Sequence, residues 1–180
     1  MSHTHSHAHD HSHPLATERL VLREFVRQDK DFIYELLNTE EWLRFIGDRD
    51  VRSLKDAEYF ITDRLTPSYR KHGFGFYAML SKAHNKVIGM CGLVKREGLE
   101  HVDLGFAMLP AYTKSGYAFE ASLSCIAFAK NNLKLKTLAA ICNTDNDASI
   151  KLLTKLGFTY VKQITLPNET TSLLYYELNL

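Results

Sequence analysis

Alternating and helical patterns of hydrophobic residues predict the first elements of this chain. Residues 18–25, ERLVLREF, alternate hydrophobic with polar positions as a half-buried strand does. Residues 28–47 have the spacing of a helix with a glycine at its end. Ser53 and Asp56 have the spacing of a capping box, which predicts the start of a second helix. We expect Pro67 to disturb or end that helix, because proline lacks the N–H that a helix interior needs.

A β-hairpin and a third strand are predicted in the middle of the chain. Residues 74–82 and 87–97 are apolar segments that flank the turn sequence AHNK, a pattern typical of a hairpin. Residues 101–109, HVDLGFAML, form a further apolar segment of strand length. These three segments therefore predict three consecutive strands.

Helices and strands alternate in the rest of the chain. Residues 116–132 are predicted to be helical because four apolar residues recur at three- and four-residue spacing. These residues are Ala118, Ala121, Cys125 and Phe128. Residues 136–143 predict a buried strand, and residues 146–157 predict a compact helix with a C-terminal glycine. Two closing strands, residues 158–166 and 172–180, flank the turn PNET.

The predicted order of elements is β-α-α-β-β-β-α-β-α-β-β. Hairpin connections come first and helical crossovers come later, so the sheet contains both antiparallel and parallel neighbours. This order predicts an α/β layered domain with a mixed sheet. The sequence has neither an internal repeat nor a clear linker, so we expect one domain over residues 15–180.

Composition and charge argue against several classes of protein. The chain has 180 residues, of which 45% are apolar and 24% are charged, as in ordinary globular domains. A net charge of +1 argues against a nucleic-acid partner. No apolar run approaches the roughly 20 residues that span a bilayer, so we expect no membrane partner. The three cysteines lie in apolar segments, which predicts buried thiols and a cytoplasmic location.

The histidine-rich start of the chain differs from the rest. Residues 1–14 carry a histidine at every second position from His3 to His13, and we expect them to be disordered. One interpretation is a metal-chelating tail, since imidazole binds zinc, nickel and copper. The other is an affinity tag or a solvated tail without a role in the activity. Because no set of carboxylates or thiols fixes a geometry there, we expect the activity to need no metal.

A loop near the middle of the chain has features of a phosphate-binding site. Residues 103–121, DLGFAMLPAYTKSGYAFEA, predict a strand, a proline break, a polar loop and a helix start. Backbone N–H groups at a helix start lack partners, and the helix dipole favours an anion there. Five residues would supply these groups: Lys114, Ser115, Gly116, Tyr117 and Ala118. The alternative is a loop that only starts a helix, and the patterns GxxxxGK[ST] and GxGxxG are both absent.

Seven motifs carry a resemblance to a known family. They are TERLVLREF at 17–25, RFIGD at 44–48, GFGFYAM at 73–79, IGMCGL at 88–93, DLGFAMLPAY at 103–112, GYAFEA at 116–121 and NDASIKLLTKLGF at 146–158. In this order they resemble the GCN5-related N-acetyltransferase (GNAT) family. The chain is most similar to the branch that includes the ribosomal-protein N-terminal (alanine/serine) acetyltransferases. The resemblance implies a mixed, mostly antiparallel central sheet flanked by helices.

The resemblance also implies acetyl-coenzyme A (acetyl-CoA) as co-substrate. Its pyrophosphate would lie on the loop amides of residues 113–118. Its pantetheine arm would pair with the strand backbone at Phe106, Ala107 and Met108, and Asn146 would hold the arm from the other side.

The loop departs from the pattern of the branch at two positions. The branch usually has Tyr-Trp-Gly-Lys-Gly-Tyr-Ala, whereas this chain has YTKSGYA. Thr113 and Lys114 therefore replace the tryptophan and the first glycine, while Gly116, Tyr117 and Ala118 keep the common core. Lys114 stands where backbone approaches phosphate, and its charge can compensate for the lost glycine.

Acetyl transfer to an amine needs a neutral amine, a polarised thioester carbonyl and a proton for the leaving thiolate. The resemblance implies carbonyl polarisation by backbone N–H groups near Ala107 and Met108. Many members of the family donate the proton from a tyrosine in the last helix, where this chain has Leu153. The resemblance instead indicates Ser149 as the catalytic acid.

The general base of the branch is a glutamate in the loop between the last two strands. Its position matches Asn168, and the adjacent Glu169 is the candidate base here. Simpler interpretations remain open, since Ser149 and Asn146 can serve as helix caps and Glu169 as a solvated loop residue. His72 is a further acid–base candidate that we expect beside the acceptor pocket.

These features predict an acetyl-CoA-dependent N-acetyltransferase that acts on a primary amine by direct attack. The acceptor is a protein N-terminal α-amine or, alternatively, a small-molecule amine. A non-catalytic acyl-CoA-binding module is the alternative from another class of protein. The expected assembly is a monomer or a homodimer.

Overall fold

The structure is a computed structural model that describes residues 15–180. The histidine-rich segment, residues 1–14, lies outside the described residues, and the interpretations of it stay predictions. Within residues 15–180, no helix combines the length and the apolar character that a membrane crossing requires.

Eight strands form one sheet. They are β1 (Leu15–Ala16), β2 (Leu20–Glu24), β3 (Phe76–Ser81), β4 (Lys86–Val94), β5 (Asp103–Met108), β6 (Thr137–Asn143), β7 (Thr159–Ile164) and β8 (Leu173–Asn179). Their order across the sheet is β1-β2-β3-β4-β5-β6-β8-β7. All neighbours are antiparallel except β5 and β6, which are parallel. The mixed, mostly antiparallel sheet predicted from the sequence is therefore confirmed.

Six α-helices connect and cover these strands. They are α1 (Lys30–Leu37), α2 (Glu40–Phe45), α3 (Leu54–Phe60), α4 (Thr66–His72), α5 (Tyr117–Asn131) and α6 (Asp147–Lys155). A π-helical segment, Ile61–Leu65, joins α3 to α4, and short 3-10 turns occupy Arg27–Asp29 and Pro110–Tyr112. The predicted order of elements is confirmed except that the structure adds the two-residue β1 and has more breaks in the first helical region than the sequence pattern indicated.

Two helical predictions need correction. The helix predicted over residues 28–47 is split, because Thr39 caps a new helix by accepting a hydrogen bond from the Trp42 N–H at 3.2 Å. Pro67 does not end the second helical region, which continues to His72. Pro67 lies in the first turn of α4, where a backbone N–H has no helical partner to lose.

Hydrophobic clusters lie on both faces of the sheet. On one face, α5 and α6 pack over strands from both halves, with Leu20, Leu93, Leu138 and Tyr176 in a single cluster. On the other face, α1 to α3 and the π-helical segment cover β3 and β4, while Leu99 and Leu166 cover part of β6 and β8. The three cysteines are buried free thiols, as the sequence predicted.

The sheet separates between its two parallel strands. Only Asp103 of β5 and Ala139 of β6 are paired, although both strands continue well beyond these residues. We call the resulting opening the β5–β6 gap. Because the strands are parallel, their carboxyl ends, Met108 and Asn143, flank the open end of this gap.

Candidate active site

The backbone of β5 presents unpaired groups to the gap. The Leu109 N–H donates to the Ile88 carbonyl at 3.0 Å, and the Val102 carbonyl accepts from the Ala139 N–H at 2.9 Å. Since alternate residues of a strand direct their backbone groups to opposite sides, Phe106 and Met108 face the gap. Ala107 faces β4 instead. The gap therefore offers backbone N–H groups at Phe106 and Met108.

The loop after β5 ends at a helix start with free N–H groups. The first hydrogen bond of α5 runs from the Glu120 N–H to the Gly116 carbonyl at 3.0 Å. The N–H groups of residues 117–119 thus have no partner within the helix. Gly116 has φ 82°, and Lys114 has φ 66°, a left-handed conformation that favours glycine. Lys114 therefore keeps a backbone shape typical of the glycine that it replaces.

Thr113 contributes less than its neighbours to this set of donors. Its N–H and its hydroxyl both donate to the Pro110 carbonyl, at 3.3 and 2.9 Å. Among the predicted loop residues, free backbone donors therefore come from positions beyond Thr113.

A partly buried network of hydrogen bonds supports the loop. The Arg19 guanidinium donates to the Ser115 carbonyl at 2.9 Å and pairs with the Glu120 carboxylate at 2.7 Å. It also lies over the Tyr117 ring, 4.2 Å from the centroid. Burial acts to raise the pKa of Glu120, but hydrogen bonds from Thr17 and Arg19 outweigh it and lower that pKa. Glu120 is thus a support of the loop.

The start of α6 lies at the open end of the gap. The Asn146 side chain accepts a hydrogen bond from the Ser149 N–H at 3.2 Å, which confirms the cap predicted from the sequence. The Ser149 hydroxyl makes no hydrogen bond within residues 15–180 and is half-buried. Leu153 is buried in the core, so no polar side chain takes the place of the tyrosine there.

Two loops also lie at the carboxyl end of β6, beside the open end of the gap. The α2–α3 loop (residues 46–53) follows Phe45, whose carbonyl accepts a hydrogen bond from the Asn143 side chain at the end of β6. The Arg44 guanidinium pairs with Asp145 at 3.2 Å and strengthens this link. The β7–β8 loop (residues 165–172) carries Glu169, and it precedes Leu173, which pairs with Asn143. The topology thus brings Glu169 to the end of the sheet that holds Asn146 and Ser149.

Asp103 is a polar residue that the sequence reasoning missed. It is 1% exposed, its Oδ2 accepts from the Arg96 Nε at 3.1 Å, and its Oδ1 has no partner within residues 15–180. Burial raises the pKa of Asp103, against the opposing effect of Arg96. An aspartate at the start of a strand is usually exposed to solvent, so the hydrophobic pattern of the sequence did not indicate that Asp103 is buried.

The structure places His72 away from the open end of the gap. Its ring stacks on Phe74, which precedes β3, at the end of the sheet where Asp103 begins β5. His84, in the β3–β4 turn, instead contacts the ring of Tyr112, at 5.2 Å between centroids. The expected position of His72 beside the acceptor pocket is therefore not supported.

Comparisons with known proteins agree with this architecture. Residues 19–159 match the profile of the family described as acetyltransferase (GNAT) domain. The chain is 27% identical over 146 residues to the uncharacterised N-acetyltransferase YoaA of Bacillus subtilis, an alignment that covers 80% of this chain and 81% of YoaA.

Solved structures share the fold. A GNAT-family acetyltransferase from Bacillus anthracis superposes with a TM-score of 0.75 at 22% identity, covering 92% of this chain and 98% of that one. A ribosomal-protein-S5-alanine acetyltransferase from Vibrio fischeri superposes with a TM-score of 0.75 at 15% identity, covering 92% and 96%. With the family profile matching most of its length, the chain belongs to the GNAT family and is an N-acetyltransferase.

Proposed function

We propose that the β5–β6 gap and the loop of residues 113–118 bind acetyl-CoA, and that the enzyme transfers the acetyl group to a primary amine. The GNAT family uses acetyl-CoA as its co-substrate. The observation that carries the proposal is the open edge of β5, which leads directly into a loop with free N–H groups. An extended amide chain that ends in a pyrophosphate fits both features.

The loop provides complementary charge for a pyrophosphate. The free N–H groups at the start of α5 lie at the positive end of the helix dipole, which favours an anion there. Lys114 is exposed, makes no ion pair within residues 15–180, and adds a full positive charge. The network of Arg19 and Glu120 fixes the Ser115 carbonyl and so keeps the loop in shape.

Backbone groups of β5 would carry the electrostatic part of the catalysis. When bound, the thioester supplies the acetyl group, and its carbonyl oxygen gains negative charge during amine attack. An N–H donor at Phe106 or Met108 would stabilise that charge without reorganisation. No enzyme nucleophile is needed, because the amine attacks directly once both substrates are positioned.

Two side chains near the open end would handle protons. Ser149 has a free hydroxyl on the first turn of α6, and we assign it the donation of a proton to the leaving thiolate. We assign Glu169 the removal of a proton from the acceptor amine, directly or through water. Asn146 would hold the amide arm as it caps α6. These roles rest on topology, which gathers all three residues at the carboxyl end of β6.

Calorimetric titration with acetyl-CoA tests the binding site through a matched pair of lysines. Lys114 and Lys134 are both exposed and both have left-handed backbone, with φ of 66° and 59°. We expect Lys114→Glu to weaken binding at least about tenfold, since it replaces an attractive charge with a repulsive one. Lys134→Glu, outside the loop, should bind as the unmodified protein does.

The titration also has a result that contradicts the site. Equal affinities for the two variants would place acetyl-CoA elsewhere, and no binding to the unmodified protein would remove the proposed activity. With binding established, acetylation of peptide N-termini compared with small amines would distinguish the two acceptor classes. A protein that lacks residues 1–14 should behave identically if the histidine-rich segment has no role in the activity.

A further inference from the structure

The loop that carries Glu169 is docked on a second loop at a glycine. Gly98 lies in the β4–β5 loop (residues 95–102) and has φ 91°. A Cβ atom added at Gly98 would lie 2.5 Å from Cδ and 2.9 Å from Cγ of Pro167, in the β7–β8 loop. Carbon atoms in van der Waals contact are about 3.5–4.0 Å apart, so the Pro167 ring occupies the space that a side chain at position 98 would need.

Pro167 belongs to a tight turn that ends at Glu169. The Glu169 N–H donates to the Leu166 carbonyl at 3.1 Å, which closes a four-residue turn that we call the 166–169 turn. Proline stands at its second position, and Asn168, at its third, has φ 63°. Both features are typical of a type II β-turn, in which the proline ring restricts the backbone. A displacement of Pro167 therefore displaces Glu169 as well.

Leu166 anchors the same turn near the closed end of the gap. It shares a hydrophobic cluster with Leu99 of the β4–β5 loop and with Ala139 of β6. Ala139 is the residue of β6 that pairs with Asp103, where the β5–β6 gap closes. The contacts of Leu166 and Pro167 thus fix the turn against both the sheet and the β4–β5 loop.

The 166–169 turn lies on the face of the sheet opposite α5 and α6. Leu138, Ala140 and Cys142 of β6 belong to the cluster beneath these two helices. Alternate residues of a strand face opposite sides of the sheet, so Ala139 and its cluster lie on the other face. Because α5 and α6 cover the first face, an acceptor would reach the gap from the face that carries the turn.

The position of Glu169 depends on the backbone of this turn. Its side chain is exposed and forms neither a hydrogen bond nor an ion pair within residues 15–180. No side-chain contact of that kind fixes the carboxylate, so its distance from an acceptor amine follows from where the turn is docked.

We propose that Gly98 is a positioning residue for the acetyl transfer. Because it has no side chain, Pro167 docks beside it, and the docked turn holds Glu169 where the acceptor amine reaches the gap. The inference rests on the proposed function, which assigns Glu169 the removal of a proton from that amine. Turnover of the acceptor therefore depends on Gly98, whereas the binding of acetyl-CoA does not.

Two matched glycine variants test the docking. Gly98→Ala and Gly157→Ala add the same methyl group at exposed glycines with φ of 91° and 97°, so their backbone strain should be similar. The new Cβ meets Pro167 at position 98, but at position 157 it would lie 3.5 Å from Cδ1 of Leu178, an ordinary contact. Hydrogen exchange over residues 164–172, followed by mass spectrometry, should accelerate only in Gly98→Ala. Equal exchange in the two variants would overturn the inference.

Steady-state kinetics measures the effect on turnover. The acceptor is a hexapeptide with a free N-terminal alanine, or spermidine if only small amines react. In Gly98→Ala, Pro167 must move by about 1 Å, and a misplacement of that size can cost about 100-fold in rate. We expect kcat to fall about 10- to 100-fold, while the Kd of acetyl-CoA from calorimetry stays unchanged. Gly157→Ala should keep the kcat of the unmodified enzyme, and melting curves confirm that both variants fold.

A double-mutant cycle shows whether Gly98 acts through Glu169. Glu169→Gln should lower kcat about 100-fold or more, the range for loss of a general base. Adding Gly98→Ala to Glu169→Gln should change kcat by less than about twofold, because the carboxylate that it displaces is already absent. Losses that multiply would contradict a role that acts through Glu169.

The outcomes separate this inference from the proposed function. Equal kcat values for Gly98→Ala and Gly157→Ala, beside a slow Glu169→Gln, would overturn the positioning role and leave the proposed base intact. An unchanged kcat in Glu169→Gln would overturn the role assigned to Glu169 in the proposed function, and this inference with it.

Discussion

Asp103 is a residue whose buried environment disfavours the charge of its side chain. It is 1% exposed, and one carboxylate oxygen has no partner within residues 15–180. Burial raises the pKa of its carboxyl above the ordinary value of 3.8. The folded state therefore binds its proton more tightly than the unfolded chain does. Its contribution to stability is complete below about pH 3.8 and is lost as pH rises through the raised pKa.

We predict that Asp103→Asn removes this pH dependence. From pH 4 to pH 8, the free energy of unfolding of the variant should rise relative to the unmodified protein, because asparagine carries no charge to bury. The expected gain is about 1–3 kcal/mol, the usual penalty for an unsatisfied buried polar group. Urea unfolding at several pH values measures it. A difference that stays constant over this range would show that Asp103 keeps an ordinary pKa.

Some roles of single residues in the candidate active site could be predicted from the sequence, and others could not. The cap of α6 by Asn146 could be predicted because capping depends on local spacing alone. The surroundings of Asp103 and of His72 could not, because each depends on which distant segments pack against it. Glu120 illustrates the same limit, since its partners Thr17 and Arg19 lie about a hundred positions earlier.

At the scale of elements, the unpaired edge of β5 makes a prediction about catalysis. Met108→Pro removes an N–H that faces the gap, but it removes no hydrogen bond to β4. We expect kcat to fall about 100-fold, as for the loss of one oxyanion donor. Affinity for acetyl-CoA should change by less than about tenfold, the range for one neutral hydrogen bond.

Two controls isolate the backbone effect in steady-state kinetics. Met108→Ala shortens the same side chain and keeps the N–H, so its kcat should stay near that of the unmodified enzyme. Ala107→Pro removes an N–H that faces β4, so it should lower the melting temperature instead. Equal kcat values for Met108→Pro and Met108→Ala would exclude a catalytic role for this N–H.

Helices and strands could be predicted where the local spacing of hydrophobic residues alone determines the secondary structure. Strands β2 to β8 and α5 follow hydrophobic spacing, and their observed bounds lie within a few residues of the predicted ones, whereas the two-residue β1 was not predicted. The break between α1 and α2 was missed because the hydrophobic pattern continues across Thr39. The continuation past Pro67 was missed because a π-helical segment restarts the hydrogen bonding just before it.

At the scale of the molecule, the part of the sheet that ends with β5 and the part that begins with β6 are joined mainly by a common hydrophobic core and only weakly by hydrogen bonds. Strands β5 and β6 are paired only at Asp103 and Ala139, but one hydrophobic cluster beneath α5 and α6 includes residues from both parts. We therefore expect a single cooperative unfolding transition. Acetyl-CoA at 100 times its dissociation constant should raise the free energy of unfolding by about 2.7 kcal/mol.

Calorimetry with and without acetyl-CoA checks this prediction. The variant Lys114→Glu, at the same acetyl-CoA concentration, should show a smaller increase because less of it is bound. Two separate transitions, or an increase in only one of them, would mean that the parts of the sheet unfold independently.

The gap itself lay beyond the sequence pattern. A parallel pair flanked by antiparallel neighbours followed from the order of elements, but its separation depends on how far β5 and β6 diverge after one shared pair. Hydrophobic spacing records which face of a strand is buried, and it contains no information on whether a lateral neighbour is present.

The burial of the thiols has a practical consequence for measuring this enzyme. All three cysteines of the sequence are buried, and burial raises the pKa of Cys142 to about 11. A hydrogen bond with Cys91 and burial also raise the pKa of Cys125. A disulfide dye that reacts with thiolates at pH 8 should therefore leave the folded protein almost colourless. The coenzyme A released at each turnover could then be followed continuously by its colour, with little background from the catalyst itself.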